Sequence, residues 1–186
     1  VLGAGGGARA AACALLGAGY RVSVAARRTG AAGLLAGALH RYLRGADLST
    51  LPWQPAPLQA ALEASDLLVQ ATPLGGAGLP LDPLAELSLG ARLGAVIDLV
   101  AWPPESALVL RVRREGRAAM GGLPMLVGQA AEAIALWTGR QAPREVMLAA
   151  ALARAGAAAG AAGPVEAAAA RVPLSSGVDG TGRDLG

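Results

Sequence analysis

Val1-Leu2-Gly3-Ala4-Gly5-Gly6-Gly7-Ala8-Arg9-Ala10 opens the chain and points to its fold class. Val1 and Leu2 have the character of a strand end, and a helical run follows over about residues 7–16. A glycine-rich segment between a strand and a helix is the setting in which main chain can cradle a phosphate. Gly3 can turn tightly, Gly5 lets the backbone approach a ligand, and the helix N-terminus offers unpaired N–H groups and a partial positive charge. The spacing of Gly3, Gly5 and Ala8 fits the GxGxxG/A form of dinucleotide-binding turns. Glycine pairs also arise as plain turns in so Ala/Gly-rich a chain, so the flanking elements carry the weight.

Those flanks repeat along the chain. Residues 20–26, with Val22 and Val24 in alternation, are predicted as a second strand, and residues 31–43 as a helix carrying Leu34, Leu35, Leu39 and Tyr42 in register. A short strand over 48–53, a short helix over 58–64 and a buried strand over 66–71 (DLLVQA) come next, then a loop over 73–83. Residues 94–100 (GAVIDLV) form a further buried strand, 106–115 a helix and 118–120 a short segment. A long helix over 123–137 should stop near Gly139, and Pro143 should open another reaching Arg154. In the first helix Ala10, Cys13, Ala14 and Gly17 share one face, expected to pack closely on the sheet with Cys13 buried. Uninterrupted apolar strands alternating with helices imply an α/β domain of three layers, a mostly parallel sheet with helices on both faces. Residues 1–155 make that domain, with its first strand cut short. Residues 156–186, rich in Ala and Gly, are expected to be a flexible tail with a frayed helix near 165–171.

Composition narrows the function classes. The apolar fraction of 54% is mostly alanine, and the stretches 120–137 and 146–163 are too broken to span a bilayer. The start shows no secretory signal pattern, and the single cysteine, Cys13, allows no internal disulfide, which fits a reducing cytoplasm. All sixteen basic residues are arginine, yet the net charge is only +3 and scattered. The densest cluster, Arg111, Arg113 and Arg114, is expected to be a solvated helix end. Neither a nucleic acid nor a membrane is the expected partner, nor is a metal expected.

Dinucleotide domains that take NAD usually end the second strand with an acidic residue for the ribose 2′-hydroxyl. Here that place reads Ala25-Ala26-Arg27-Arg28-Thr29. A carboxylate would repel a 2′-phosphate, whereas arginine grips it with charge-assisted bonds of about 1.5–3 kcal/mol each. The residues therefore favour NADP over NAD.

With GAGGGARA at the start, RRT at 27–29, ATPLG at 71–75, DLVAWPPES at 98–106 and GGLPMLVGQAAEAIALWTG at 121–139 in that order, the chain resembles the Rossmann-type nucleotide-binding half of shikimate dehydrogenases. The resemblance covers about residues 1–150. It implies that Gly3, Ala4, Gly5, Gly6 and Gly7 wrap the pyrophosphate and that Arg28 and Thr29, beside Arg27, meet the 2′-phosphate. By the same resemblance Thr72 lies along the cofactor groove, Leu99 and Gly122 sit by the nicotinamide, and Gln129 reaches the substrate's hydroxyls. It further implies NADP-dependent interconversion of 3-dehydroshikimate and shikimate, on the route to chorismate and the aromatic amino acids.

Some positions depart from the family pattern. Its Asn-Arg-Thr reads Arg27-Arg28-Thr29, its second clamp arginine is replaced around Ala32, and Arg27 stands where it could serve for both. Ala101 replaces a tyrosine that helps hold shikimate, with Trp102 as the available substitute, and Gln70 replaces an asparagine. The family's general acid/base is a lysine paired with an aspartate on an N-terminal substrate domain that precedes the glycine loop. This chain has no lysine, and His40 is expected on an exposed helix face, so no catalytic residue is assigned within it. Asp98 ends a strand, where it can face a ligand or bond a neighbouring loop. A quinate/shikimate dehydrogenase relative and a noncatalytic NADP-sensing module both stay open, as does a homodimer.

Overall fold

A computed structural model of the chain describes residues 1–76 and 79–155, so the expected tail over 156–186 lies outside the described residues. The elements alternate as read from the sequence: α1 (Gly6–Gly17), β1 (Val22–Ala25), α2 (Ala31–Tyr42), β2 (Leu48–Leu51), α3 (Pro55–Ala64), β3 (Leu67–Gln70), β4 (Ala95–Asp98), α4 (Ala107–Arg114), β5 (Ala118–Met120), α5 (Leu123–Thr138) and α6 (Arg144–Arg154). Pro55 opens α3 where a missing N–H costs nothing, and Gly139 ends α5 in the left-handed conformation.

All strand pairs are parallel: β1 with β2, β3 with β4, and β4 with β5. The opening residues join the two groups. Leu2 N–H donates to Val69 O at 2.8 Å and Leu2 O accepts from Ala71, while Val1 O accepts from Ala25 and Gly3 N–H donates to Ala25 O at 2.7 Å. Across one sheet the order is β2, β1, the opening segment, β3, β4, β5. The chain therefore leaves the middle of the sheet toward one edge and then crosses to the other. Ligands of open α/β sheets bind at such a reversal, beyond the strand C-termini.

Period-two alternation sends neighbouring side chains to opposite layers. Leu2 and Ala25 enter a core with Leu58 and Leu62 of α3 and Leu108, Val109 and Val112 of α4. Val24 enters another with Ala8 and Ala12 of α1 and Leu35 and Leu39 of α2, against which Val1 packs. The long connection between β3 and β4 adds Leu81, Leu84, Leu87, Leu89 and Leu93 to the first core.

The helix faces need correction. In α1 the buried residues are Ala8 and Ala12, whereas Ala10, Cys13, Ala14 and Gly17 are exposed. In α2, Leu35 and Leu39 are buried as expected, but Leu34 is 79% and Tyr42 85% exposed, and Ala32 and Ala36 complete the buried face. His40 is exposed. Arg111 and Arg113 are not a solvated helix end. Arg111 donates to Leu84 O and Leu87 O, both at 2.7 Å, while Arg113 pairs with Glu105 and donates to Ala119 O. No helix among the described residues is long and apolar enough to cross a membrane.

Candidate functional site

The glycine turn begins in the sheet. Gly3 is buried between the C-terminal ends of β1 and β3, with φ at +112°, and a Cβ there would lie 2.6 Å from Ala71 O. Only glycine suits both the dihedral and the space. Gly5 is the N-cap of α1 and supplies no side-chain cap, and the first turn carries no acidic residue. The N–H groups of that turn are thus left to an outside acceptor, with the helix dipole behind them.

In front of this turn lies a cleft of about 250 Å³ lined by Gly3, Ala4 and Gly5, by Arg27 and Arg28 after β1, by Trp53 after β2, and by Thr72, Pro73 and Leu74 after β3. Among the described residues no carboxylate lines it, and neither Arg27 nor Arg28 takes part in an ion pair. Two exposed cations, a helix N-terminus and bare glycine backbone suit a ligand carrying several phosphates. A larger concavity of about 960 Å³ lies at the other end of the strands, beside Val22, Leu67, Asp47 and Asp66. Its two aspartates are already paired, Asp47 with Arg21 and Asp66 with Arg92, and it contains neither the glycine turn nor a helix N-terminus facing an unpaired arginine, so it is the poorer candidate.

Gln70, wholly buried at the end of β3, holds the far wall of the cleft. Its Oε1 accepts from the N–H and the hydroxyl of Thr72, and its Nε2 donates to Thr72 O and to Leu74 O at 2.9 Å. Asp98 plays a related part at the end of β4. It accepts from Ser106 Oγ at 2.5 Å and from Val100 N–H at 3.0 Å, and Ser106 Oγ in turn accepts from Val109 N–H as the N-cap of α4. Burial pushes the Asp98 carboxyl above its ordinary value, against the lowering effect of these two bonds. Of its two expected roles, Asp98 takes the structural one.

Leu99 and Gly122 meet next to the turn. A Cβ on Gly7 would lie 3.1 Å from the Leu99 side chain, and one on Gly122 would collide with Leu99 O and lie 2.7 Å from the Val100 carbonyl carbon. Gly122 N–H donates to Val100 O at 3.0 Å, seating the start of α5 against the end of β4. The structure thus brings together Gly3, Ala4, Gly5, Arg27, Arg28 and Thr72, with Gly6 and Gly7 opening α1 and Leu99 and Gly122 alongside. Thr29 is exposed outside the cleft lining, and Gln129 is exposed on α5, also outside it. Trp102 is 60% exposed, and Ala32 is buried in the α2 core, so no clamp side chain extends from it. Trp53 and the bracing role of Gln70 escaped the sequence reading. A tryptophan two residues beyond a strand C-terminus is a signal that could have found the first.

The family model for the Shikimate 5'-dehydrogenase C-terminal domain matches residues 122–152, the stretch holding α5 and most of α6. The shikimate dehydrogenase (NADP(+)) of Geobacter sulfurreducens is 36% identical over 148 residues, 79% of this chain and 51% of its own length. That of Aeropyrum pernix is 40% identical, over 76% and 50%. Among solved structures, shikimate 5-dehydrogenase from Thermus thermophilus in complex with NADP(H) and shikimate superposes with a TM-score of 0.64 at 34% identity, covering 83% of this chain and 53% of that one. Quinate dehydrogenase from Corynebacterium glutamicum in complex with NAD superposes with a TM-score of 0.70 at 27% identity, over 82% and 53%. The chain thus spans about half the length of the curated relatives it matches. In sequence and in its Rossmann-like fold, the chain belongs to the shikimate dehydrogenase family.

Proposed function

We propose that this chain is the NADP-binding half of a shikimate dehydrogenase, completed by a substrate domain that carries the acid/base lysine. The observation that carries the reading is the cleft uniting the Gly3–Gly5 turn with Arg27 and Arg28, with no carboxylate among the described residues that line it. The relatives named shikimate dehydrogenase (NADP(+)) supply the reaction. Bound NADPH would deliver hydride to the carbonyl of 3-dehydroshikimate, and in the reverse direction NADP would accept it from shikimate. The protein's part is then to bind, orient and exclude water. The turn and the first N–H groups of α1 would take the pyrophosphate, and Arg27, Arg28 and Thr29 the 2′-phosphate. Thr72, fixed by Gln70, would flank the ribose side. Leu99 and Gly122, packed against each other, would back the nicotinamide. Gln129, exposed on α5, can both donate to and accept from a polyol acid once the other half closes over it. The whole enzyme would work in the cytoplasm.

A quinate dehydrogenase relative is the second reading, favoured by the 0.70 superposition. That solved protein holds NAD, whereas the paired arginines here suit a 2′-phosphate. Calorimetric titration with NADP and NAD tests the cofactor. NADP should bind at least about tenfold tighter, and Arg28→Ala should weaken it by roughly 10- to 150-fold while barely changing NAD. Equal affinity for both, or no binding of either, would overturn the reading. With the completing domain present, turnover of shikimate against quinate separates the two substrates.

A further inference from the structure

We propose that Trp53 is the platform on which the adenine ring of the dinucleotide stacks, an inference that rests on the NADP reading above. Adenine and the 2′-phosphate hang from one ribose, so a base platform must lie beside the arginines that hold the phosphate. Trp53 sits there. It follows β2 at the C-terminal end of the sheet, packs against the leucine core and also lines the cleft shared by Arg27 and Arg28. It is the one aromatic side chain in that lining, and Pro73 and Leu74 supply apolar surface beyond it. Half-buried on its core side, the indole is held in place before a ligand arrives, which lowers the ordering cost of stacking. A purine presents a π-face to it, and the adjacent guanidinium groups favour the same aromatic surface.

The chain has three tryptophans, and Trp102 and Trp137 are both exposed, so a Trp102→Phe/Trp137→Phe background isolates the Trp53 emission. Adenosine 2′,5′-bisphosphate is the probe, because it carries the base and phosphates without the nicotinamide. Its addition should quench Trp53 emission along the same curve that calorimetry reads, and nicotinamide mononucleotide should leave the emission unchanged. Trp53→Ala should weaken the bisphosphate by roughly 5- to 150-fold, whereas Trp53→Phe, which keeps an aromatic face, should recover most of the affinity. Calorimetric binding of the bisphosphate with flat Trp53 emission and an unchanged affinity in Trp53→Ala would overturn the platform and leave the NADP reading standing. Absence of calorimetric binding for both the bisphosphate and NADP would overturn the two together.

Discussion

The side-chain carbonyl of Gln70 accepts both the backbone N–H of Thr72, at 2.6 Å, and its hydroxyl, at 2.7 Å. The amide nitrogen donates to two carbonyls of the same loop, those of Thr72 and Leu74. One buried side chain thus meets four polar partners in a place water does not reach. Replacing it by a shape-matched apolar residue would orphan several of them at once. Gln70→Leu is expected to cost about 2–4 kcal/mol in urea unfolding and to weaken NADP binding through the loosened Thr72–Leu74 wall. Gln70→Asn, one methylene shorter, should lose less. A Gln70→Leu protein as stable as its parent would show the loop to be held by other means.

The glycines of the opening turn should separate into two kinds. A Cβ on Gly3 meets Ala71 O at 2.6 Å and its φ is +112°, while one on Gly5 or Gly6 meets nothing within 4 Å. Gly3→Ala is therefore expected to destabilise the fold by about 2 kcal/mol or more. Gly5→Ala should leave the melting temperature close to its parent value, yet reduce NADP affinity at least about tenfold, because its methyl group projects where the pyrophosphate would lie. Paired thermal melts and titrations read both. Unchanged affinity in Gly5→Ala would place the phosphates elsewhere.

The element order was legible because two signals agreed. Strand-length apolar runs such as residues 66–71 and 94–100 fell between punctuating prolines and glycines, and Gly139 and Pro143 bounded the last two helices as expected, although α3 begins at Pro55, three residues before its expected start. Helix orientation was less legible. In α1 alanine occupies every face, so periodicity barely distinguishes Ala8 and Ala12, which are buried, from Ala10 and Ala14, which are exposed. The cleft was half legible. Gly3, Gly5, Arg27 and Arg28 stand close to recognisable strand ends, whereas Trp53 and Gln70 join them only when three strand C-termini are brought side by side. Arg111 misled for a related reason. Its acceptors lie 24 to 27 residues away, in a connection without regular structure.

Asp98 should leave a pH signature. Burial raises its carboxyl above the ordinary 3.8, so the folded protein holds that proton more tightly than the unfolded chain. Its contribution to stability is therefore greatest below 3.8, falls as pH rises from 3.8 through the raised value, and is constant above it. Relative to Asp98→Asn, the parent protein should lose stability across that window. A difference independent of pH would mean that the carboxyl titrates as it does in an open chain. Ser106→Ala removes both the hydroxyl bonded to Asp98 and the N-cap of α4, and should cost about 2–3 kcal/mol at neutral pH.

Arg111 and Arg117 should behave as structural residues despite their charge. Arg117 Nη1 donates to Leu93 O at 2.6 Å and also contacts Gly90 O, and Arg111 holds Leu84 O and Leu87 O. Arg111, from within α4, and Arg117, just before β5, together tie the carbonyls of the β3–β4 connection to this part of the fold. Both side chains are about three-quarters buried, at 24% and 23% exposure, so the bonds are only partly screened. Arg117→Met keeps much of the stem's packing and removes the donors. It should cost about 1–3 kcal/mol and speed amide hydrogen exchange across residues 84–93, where the buried leucines otherwise have no helix or strand to hold them. Salt discriminates the causes: a surface charge effect would fade in 1 M NaCl, whereas loss of these partly buried bonds should persist. Exchange in 84–93 unchanged by Arg117→Met would show that leucine packing alone fixes the connection.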